Sequence, residues 1–217
     1  MKIKWNGHAS FTVTAADGTV LVTDPYDPNA FGGVFDYAPV SDAADGVLVS
    51  HDHADHNYVE GLKGSPVVLR GSGNVGSIRV TGVETAHDES GGSERGANTV
   101  FVFEADGLRI CFVGDLGHQL SESQKQAIGP VDVLLAPVGG TFTVDAQGAA
   151  RLTDALAPKV IIPMHFKTEK CRLPIAGVED FLSRRQNVKQ LEKSEAEINP
   201  QDLPAGDPEV WVLTHAR

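Results

Sequence analysis

Residues 51–56 read His-Asp-His-Ala-Asp-His, three imidazoles and two carboxylates within six positions. Imidazole suits Zn, Fe, Cu and Ni, and carboxylate adds a hard oxygen, so the hexapeptide is a dense donor set for a divalent metal. A His-rich tract in a solvated turn is the ordinary alternative. The preceding residues argue against it. Asp45-Gly46-Val47-Leu48-Val49-Ser50 is a short apolar run behind an Asp-Gly turn signal, the pattern of a buried strand. The donors therefore sit where a strand ends and a loop begins, which ties the fold to a sheet whose edge presents them.

Other segments repeat this arrangement. Val20–Thr23 runs into Asp24, Leu108–Val113 into Gly114-Asp115, and Lys159–Ile162 into Pro163-Met164-His165. One such residue is most simply a turn residue ending a strand. Several together predict a converging site at the carboxyl ends of the strands, where α/β sheets carry their ligands. Residues 1–105 read as many short strands, with turns at Asp17-Gly18, Asp45-Gly46 and Asp106-Gly107. Ser121–Ile128 reads as a helix capped by Ser121, Val144–Ala157 as a helix stopped by Pro158, and Gly177–Gln190 as a third helix. Val210–Thr214 reads as a closing strand. Periodicity alone predicts a mixed α/β chain, and with no evident linker residues 1–217 are expected to form one domain.

The order of these motifs resembles the metallo-β-lactamase superfamily from about residue 1 to 215: His-x-His-x-Asp-His after a strand, His87 in Thr85-Ala86-His87, Gly114-Asp115, and His165 in Pro163–Phe166. Within it, Trp5-Asn6-Gly7-His8-Ala9-Ser10-Phe11 and Asn98-Thr99-Val100-Phe101 are similar to compact metal-dependent hydrolases, a group that includes L-ascorbate-6-phosphate lactonase. The resemblance implies an α/β fold, a four-layer α-β-β-α sandwich with metals at one sheet edge. It also implies two divalent ions, Zn foremost with Mn, Fe or Ni as alternatives. His51, His53 and His87 would hold one; Asp55, His56 and His165 would hold the second; Asp115 would bridge. Seven donors are too many for one tetrahedral ion and suit two with open positions for water. Two such cations lower the pKa of a bridging water from about 16 to about 7. The implied activity is metal-dependent hydrolysis of a small-molecule ester, lactone or phosphodiester by a metal-bridged hydroxide. Asp55 is also a candidate for proton transfer.

Further residues are candidates for support. His8 is expected to contact substrate or metal, against the alternative of a core histidine. Asp24 matches a position that braces the 51–56 loop and tunes its ligands. The Gly-rich segment Asp88–Asn98 is a candidate flap in which Arg95 meets a substrate anion. His118 could line the pocket or sit in an exposed loop, Gly139-Gly140-Thr141 reads as a turn, with backbone amides facing a pocket as the alternative, and His215 is expected to play no part. Cys111 reads as a core residue and Cys171 as a bystander.

Composition narrows the partners. A net charge of −11 disfavours nucleic acid, whose binding draws on clustered Lys and Arg. Lys189 and Lys193 among their acidic neighbours read as a solvated helix face over 184–198. Metal ions would offset the ligand carboxylates locally, so a small anionic substrate remains compatible. No continuous apolar stretch predicts a signal peptide or membrane contact, and two cysteines fit a reducing cytoplasm. Two alternatives stand beside hydrolysis. An iron-dependent oxidoreductase would use the same ligands, but no flavin-binding domain is appended. A non-catalytic metal scaffold would be expected to have lost part of the ligand set.

Overall fold

The computed structural model describes residues 1–217. In chain order it comprises β1 (Lys2–Gly7), β2 (Ser10–Thr14), β3 (Val20–Thr23), α1 (Ala30–Gly33), β4 (Gly46–Leu48), β5 (Val67–Leu69), β6 (Gly73–Val75), β7 (Ile78–Ala86) and β8 (Ala97–Ala105). These are followed by β9 (Leu108–Phe112), α2 (Glu122–Ile128), β10 (Val133–Pro137), α3 (Ala146–Leu156), β11 (Val160–Met164), α4 (Glu179–Leu182), β12 (Val188–Gln190), β13 (Glu195–Glu197) and β14 (Glu209–Val212). The strands form two mixed sheets, ordered β13-β1-β2-β3-β4-β5 and β12-β14-β11-β10-β9-β8-β7-β6.

Side-chain alternation explains why the sheets stack. Successive strand residues point to opposite faces, so a strand apolar on both faces must be covered on both. In β10, Val133 and Leu135 enter the core between the sheets, while Leu134 and Ala136 face α2 and α3. In β3 and β4, Leu21 and Leu48 enter the same central core, and Val22 and Val47 face outward. The result is the expected four-layer arrangement with a core at each of three interfaces. The outer layer over the first sheet is only partly helical. It is built from Tyr26, Phe35, Tyr37 and Val40 around the four-residue α1.

Several sequence expectations hold in detail. Ser121 caps α2 through a full capping box with Gln124, and α3 ends at Ala157, left-handed at φ 45° just before Pro158. Asp106 and Gly107 both take positive φ in the β8–β9 turn. Others do not hold. Gly46 lies inside β4, paired with Leu21 and Val67, rather than in a turn, and it is glycine because a Cβ there would meet Val75 Cγ2 at 2.4 Å. The helix expected over Gly177–Gln190 is only α4, and residues 188–190 instead pair in parallel with β14. The 184–198 segment is accordingly two edge strands and their connections rather than a helix face. No helix is long and apolar enough to cross a membrane.

Asp42 ties the two ends of the chain together. Its carboxylate accepts a hydrogen bond from Lys4 Nζ at 2.7 Å and pairs with Arg217. Burial raises its pKa, but Lys4 and Arg217 outweigh burial and hold it below the ordinary value of 3.8. A folded-state pKa below the unfolded one gives stability that is present above the unfolded value and lost as pH falls through the lower folded one. Asp42→Asn should therefore lower the unfolding free energy by about 1 kcal/mol at pH 6–8. In chemical denaturation the difference from wild type should close as pH falls below about 4. A constant difference down to pH 2 would show that the charge is not what stabilises.

Candidate metal centre

The centre is assembled by five strand ends, those of β3, β4, β7, β9 and β11. Asp24 follows β3 in left-handed conformation, φ 34°, and its side chain is wholly buried. One oxygen accepts the Ser50 backbone N–H at 2.8 Å; the other accepts Ser50 Oγ–H at 2.5 Å and lies 2.8 Å from His56 Nδ1. Ser50 Oγ in turn sits 2.9 Å from His51 Nδ1. With Nδ1 occupied on both rings, each Nε2 turns inward, which is how supporting contacts orient metal ligands. The 51–56 loop is thus folded back on Asp24 from the end of the neighbouring parallel strand.

Asp115 is placed by glycine and by Asn98. Gly114 takes φ 56°, and a Cβ there would fall 2.5 Å from both Asn98 Oδ1 and Ser50 Cβ. Asn98 Oδ1 accepts the Asp115 N–H at 3.0 Å, while its Nδ2 donates to Val113 O and Thr85 Oγ1. His165 follows β11 at φ 50°, and its N–H donates to His8 O; His8 itself has φ 51°. Left-handed backbone is costly for residues with a side chain, so its recurrence at His8, Asp24 and His165 marks a site the surrounding packing enforces.

These elements bring every expected ligand together. Ligand atoms of His51, His53 and His87 lie within 4.8 Å of one another, as do those of His8, Asp55, His56 and His165. Asp115 Oδ2 stands between the groups, 3.2 Å from Nε2 of His56, 3.2 Å from that of His87 and 3.3 Å from that of His165. His51 Nε2 is 4.0 Å away. Yet the buried atoms His51 Nε2, His56 Nε2, Asp55 Oδ1 and Asp115 Oδ1 have no hydrogen-bond partner. Buried polar atoms without partners cost roughly 1–3 kcal/mol each. Buried donor atoms gathered in two groups without hydrogen-bond partners are the environment that cations satisfy, so the donor set fits metal ions.

Electrostatics agree. Burial opposes ionisation of Asp115, but His165 and His56 overcome it and hold the carboxyl well below the usual range. Burial also opposes the charge on Asp55, and His56 and His8 again outweigh it. His56 is buried too, but Asp115 and Asp55 lift its pKa well above 6.5. Burial, reinforced by His56, drops His51 to about 2, and burial with His165 drops His8 to about 4. The centre therefore offers neutral imidazoles at His51 and His8 and ionised carboxylates at Asp55 and Asp115, while His56, held protonated by those carboxylates, must give up its proton to ligate a metal.

A cavity of ≈ 400 Å³ opens over the centre and is lined by His53, Asp55, His87, Asp115 and His165 from the ligand set. His8 is wholly buried, with Nε2 3.1 Å from Asp55 Oδ2, and is not among the cavity residues. Arg95 lies at the cavity wall. The Asp88–Asn98 segment is held by Asp88, which accepts the N–H groups of Ser90, Gly92, Glu94 and Arg95 at 2.7–3.0 Å. The organising role of Asp88 was not legible from composition, although an acid followed by Gly-rich residues is the signal for such a turn. His118 Nε2 accepts the Ala86 N–H at 3.0 Å beside His87. Gly139 donates to His165 O, and a Cβ on it would meet that oxygen at 2.3 Å. Cys111 is a core residue whose thiol burial pushes up to about 12. Cys171 is buried among Phe35, Tyr37 and Leu173, outside the ligand groups. His215 packs against Trp5 and Tyr37, away from the centre.

Comparison with known proteins agrees with this geometry. Residues 2–165 match the β-lactamase superfamily domain. The chain is 31% identical to a UPF0173 metal-dependent hydrolase of Anaeromyxobacter dehalogenans, over 83% of this chain and 79% of the relative. It is 30% identical to another from Carboxydothermus hydrogenoformans, over 77% of this chain and 85% of the relative. A Thermotoga maritima crystal structure assigned to the Zn-dependent hydrolases of the metallo-β-lactamase superfamily superposes with a TM-score of 0.79 at 36% identity, covering 98% of this chain and 97% of that one.

Asp24 supplies a direct test of the bracing. Asp24→Ala should leave His56 Nδ1 and the Ser50 donors unpaired. Metal affinity should fall about 10- to 100-fold, and unfolding free energy should drop by about 3 kcal/mol. Isothermal titration with Zn²⁺ and denaturation of the metal-free protein read the two effects separately. Unchanged affinity would show that the loop orients its ligands without Asp24.

Proposed function

Because the chain belongs to the β-lactamase superfamily and, within it, to the UPF0173 metal-dependent hydrolase family, we propose that it hydrolyses a small-molecule ester, lactone or phosphodiester with two divalent ions. The observation that carries the two-ion reading is the position of Asp115 Oδ2, shared between His87 of one group and His56 and His165 of the other. His51, His53 and His87 would hold one ion, Asp55, His56 and His165 the second, and Asp115 both. Bound there, the ions supply an acidified water as nucleophile and Lewis-acid polarisation of the scissile oxygen. Zn is the first expectation for this mixture of imidazole and carboxylate, with Mn, Fe and Ni compatible.

The chain's own residues divide the remaining work. Asp55 faces the cavity with Oδ1 free of hydrogen bonds, placed to accept a proton from the attacking water and return it to the leaving oxygen. His8 contacts Asp55 from the buried side and acts as a positioning residue that fixes the carboxylate, with its imidazole also near the second ligand group. The cavity is sized for a small molecule rather than a polymer. The likeness of Trp5–Phe11 and Asn98–Phe101 to the ascorbate-6-phosphate lactonase group supports keeping a lactone among the substrates.

Elemental analysis of the purified protein should find about two equivalents of metal per chain. Chelation should abolish hydrolysis of generic ester, lactone or phosphodiester substrates, and re-addition of metal should restore it. Asp115→Ala should lose metal and reduce kcat/KM by at least about 1000-fold. Retention of both ions and activity in that variant would sink the dinuclear reading. Iron as the main metal, with a visible absorption band and no hydrolysis, would favour oxidative chemistry instead.

A further inference from the structure

Three features meet at the mouth of the centre. The first is a cation held in place but unpaired. Arg70, Arg109, Arg172, Arg184, Arg185 and Arg217 all donate side-chain hydrogen bonds within the protein. Arg95 donates none. Its nearest carboxylate oxygen, Glu94 Oε2, is 3.9 Å away, and both side chains are exposed. A rim pair of this kind contributes little. The backbone of Arg95 is nonetheless fixed, since its N–H donates to Asp88 Oδ2 at 2.7 Å. The guanidinium is thus carried beside the metal cavity and remains free for a ligand.

The second feature is an exposed aromatic. Phe31 is 60% exposed, and it lines the same cavity. Its backbone is left-handed at φ 51°, between Ala30 and the positive-φ Gly32 and Gly33. A strained conformation that holds a phenyl ring in solvent beside an open site has no stabilising reason of its own. The third feature is the rest of the lining, Phe142 and Leu173, so the cavity is apolar apart from the ligands and Arg95. A neighbouring polar cavity of ≈ 450 Å³ shares His87, Arg95 and Phe142 with it, so a ligand reaching past Arg95 has room to extend.

We propose that the substrate is a small carboxylic ester or lactone with an apolar body and one anionic group, the body seated against Phe31, Phe142 and Leu173 and the anion on the Arg95 guanidinium. This rests on the hydrolase reading and narrows it. Guanidinium pairs with carboxylate or phosphate through two parallel N–H donors, which fixes orientation as well as affinity. The apolar wall disfavours a polyol, whose hydroxyls would lose water without finding partners. In the reaction, water adds its oxygen to the acyl carbon, the acyl C–O bond breaks, and the alcohol leaves with a proton.

Two esters of matched length separate the charge from the body: monophenyl glutarate, which carries a carboxylate, and phenyl pentanoate, which does not. The metal-loaded wild type should prefer the glutarate, and Arg95→Ala should reduce the ratio of the two kcat/KM values about 10- to 100-fold. Phe31→Ser, at an exposed position, should raise KM for both. Binding is read independently with 3-phenylpropane-1-sulfonate, a poor metal ligand that joins an aromatic ring to an anion. Calorimetry should find it bound at least about tenfold more weakly by Arg95→Ala than by wild type, with Arg95→Lys between. Metal content and melting temperature should match wild type in each variant. Hydrolysis of both esters with an unchanged ratio and an unchanged sulfonate Kd would overturn the proposal while leaving the hydrolase standing. Hydrolysis of neither ester, with sulfonate binding still lost in Arg95→Ala, would overturn the ester assignment and keep the anion seat.

Discussion

The buried carboxylate of Asp24 organises the metal centre. An isolated carboxylate with no solvent contact is expensive, and it is tolerated here because Ser50 N–H, Ser50 Oγ–H and His56 Nδ1 surround it. Those partners are the first and last parts of the metal-binding loop. Satisfying one buried charge therefore closes the loop and aims two imidazoles. The backbone beyond β3 is bent left-handed to deliver that charge, a local cost borne by the parallel pairing of β3 with β4.

The remaining ligands depend on the same economy of strand ends. Asp115 arrives through Gly114 and the Asn98 side chain, and His165 arrives through a left-handed residue whose N–H is taken by His8 O. Each residue comes from a different part of the chain, and each is held by a backbone hydrogen bond rather than by side-chain packing alone. A rigid frame of this kind lets seven donor side chains face one another with few hydrogen bonds among them, which bare protein would not otherwise sustain. The second level of the site is looser in chemistry: one free guanidinium, one exposed phenyl ring and an apolar wall.

Much of this was legible beforehand, and the misses are instructive. The strand-then-ligand pattern at Asp24, His51, Asp115 and His165 was readable because apolar β-branched runs announce buried strands. The α2 boundaries were readable because Ser121 is a cap residue before a helix-forming run, and Gln124 completes the cap in the fold. The region 177–190 misled because its helical composition is overridden by pairing with β14: Phe181 is drawn into the core, and Val188 meets Val210 in the sheet. Gly46 misled because an Asp-Gly pair signals a turn, whereas here the glycine makes room for Val75. Asp88 passed as a loop residue, since nothing local shows that four later N–H groups will converge on it.

Local chemistry was enough to pick out the candidate metal donors, most of the strand ends, and a repeated strand-to-ligand unit. Those properties follow from side-chain donors and from periodicities of a few residues, which a linear chain displays directly. Partnership across the fold was not. The placement of Asp115 between two ligand groups, the burial of His8 behind Asp55, and the meeting of Phe31 with Arg95 over one cavity all join residues tens of positions apart. Distances of that kind are set by sheet order and packing of the layers, and only the folded chain contains them.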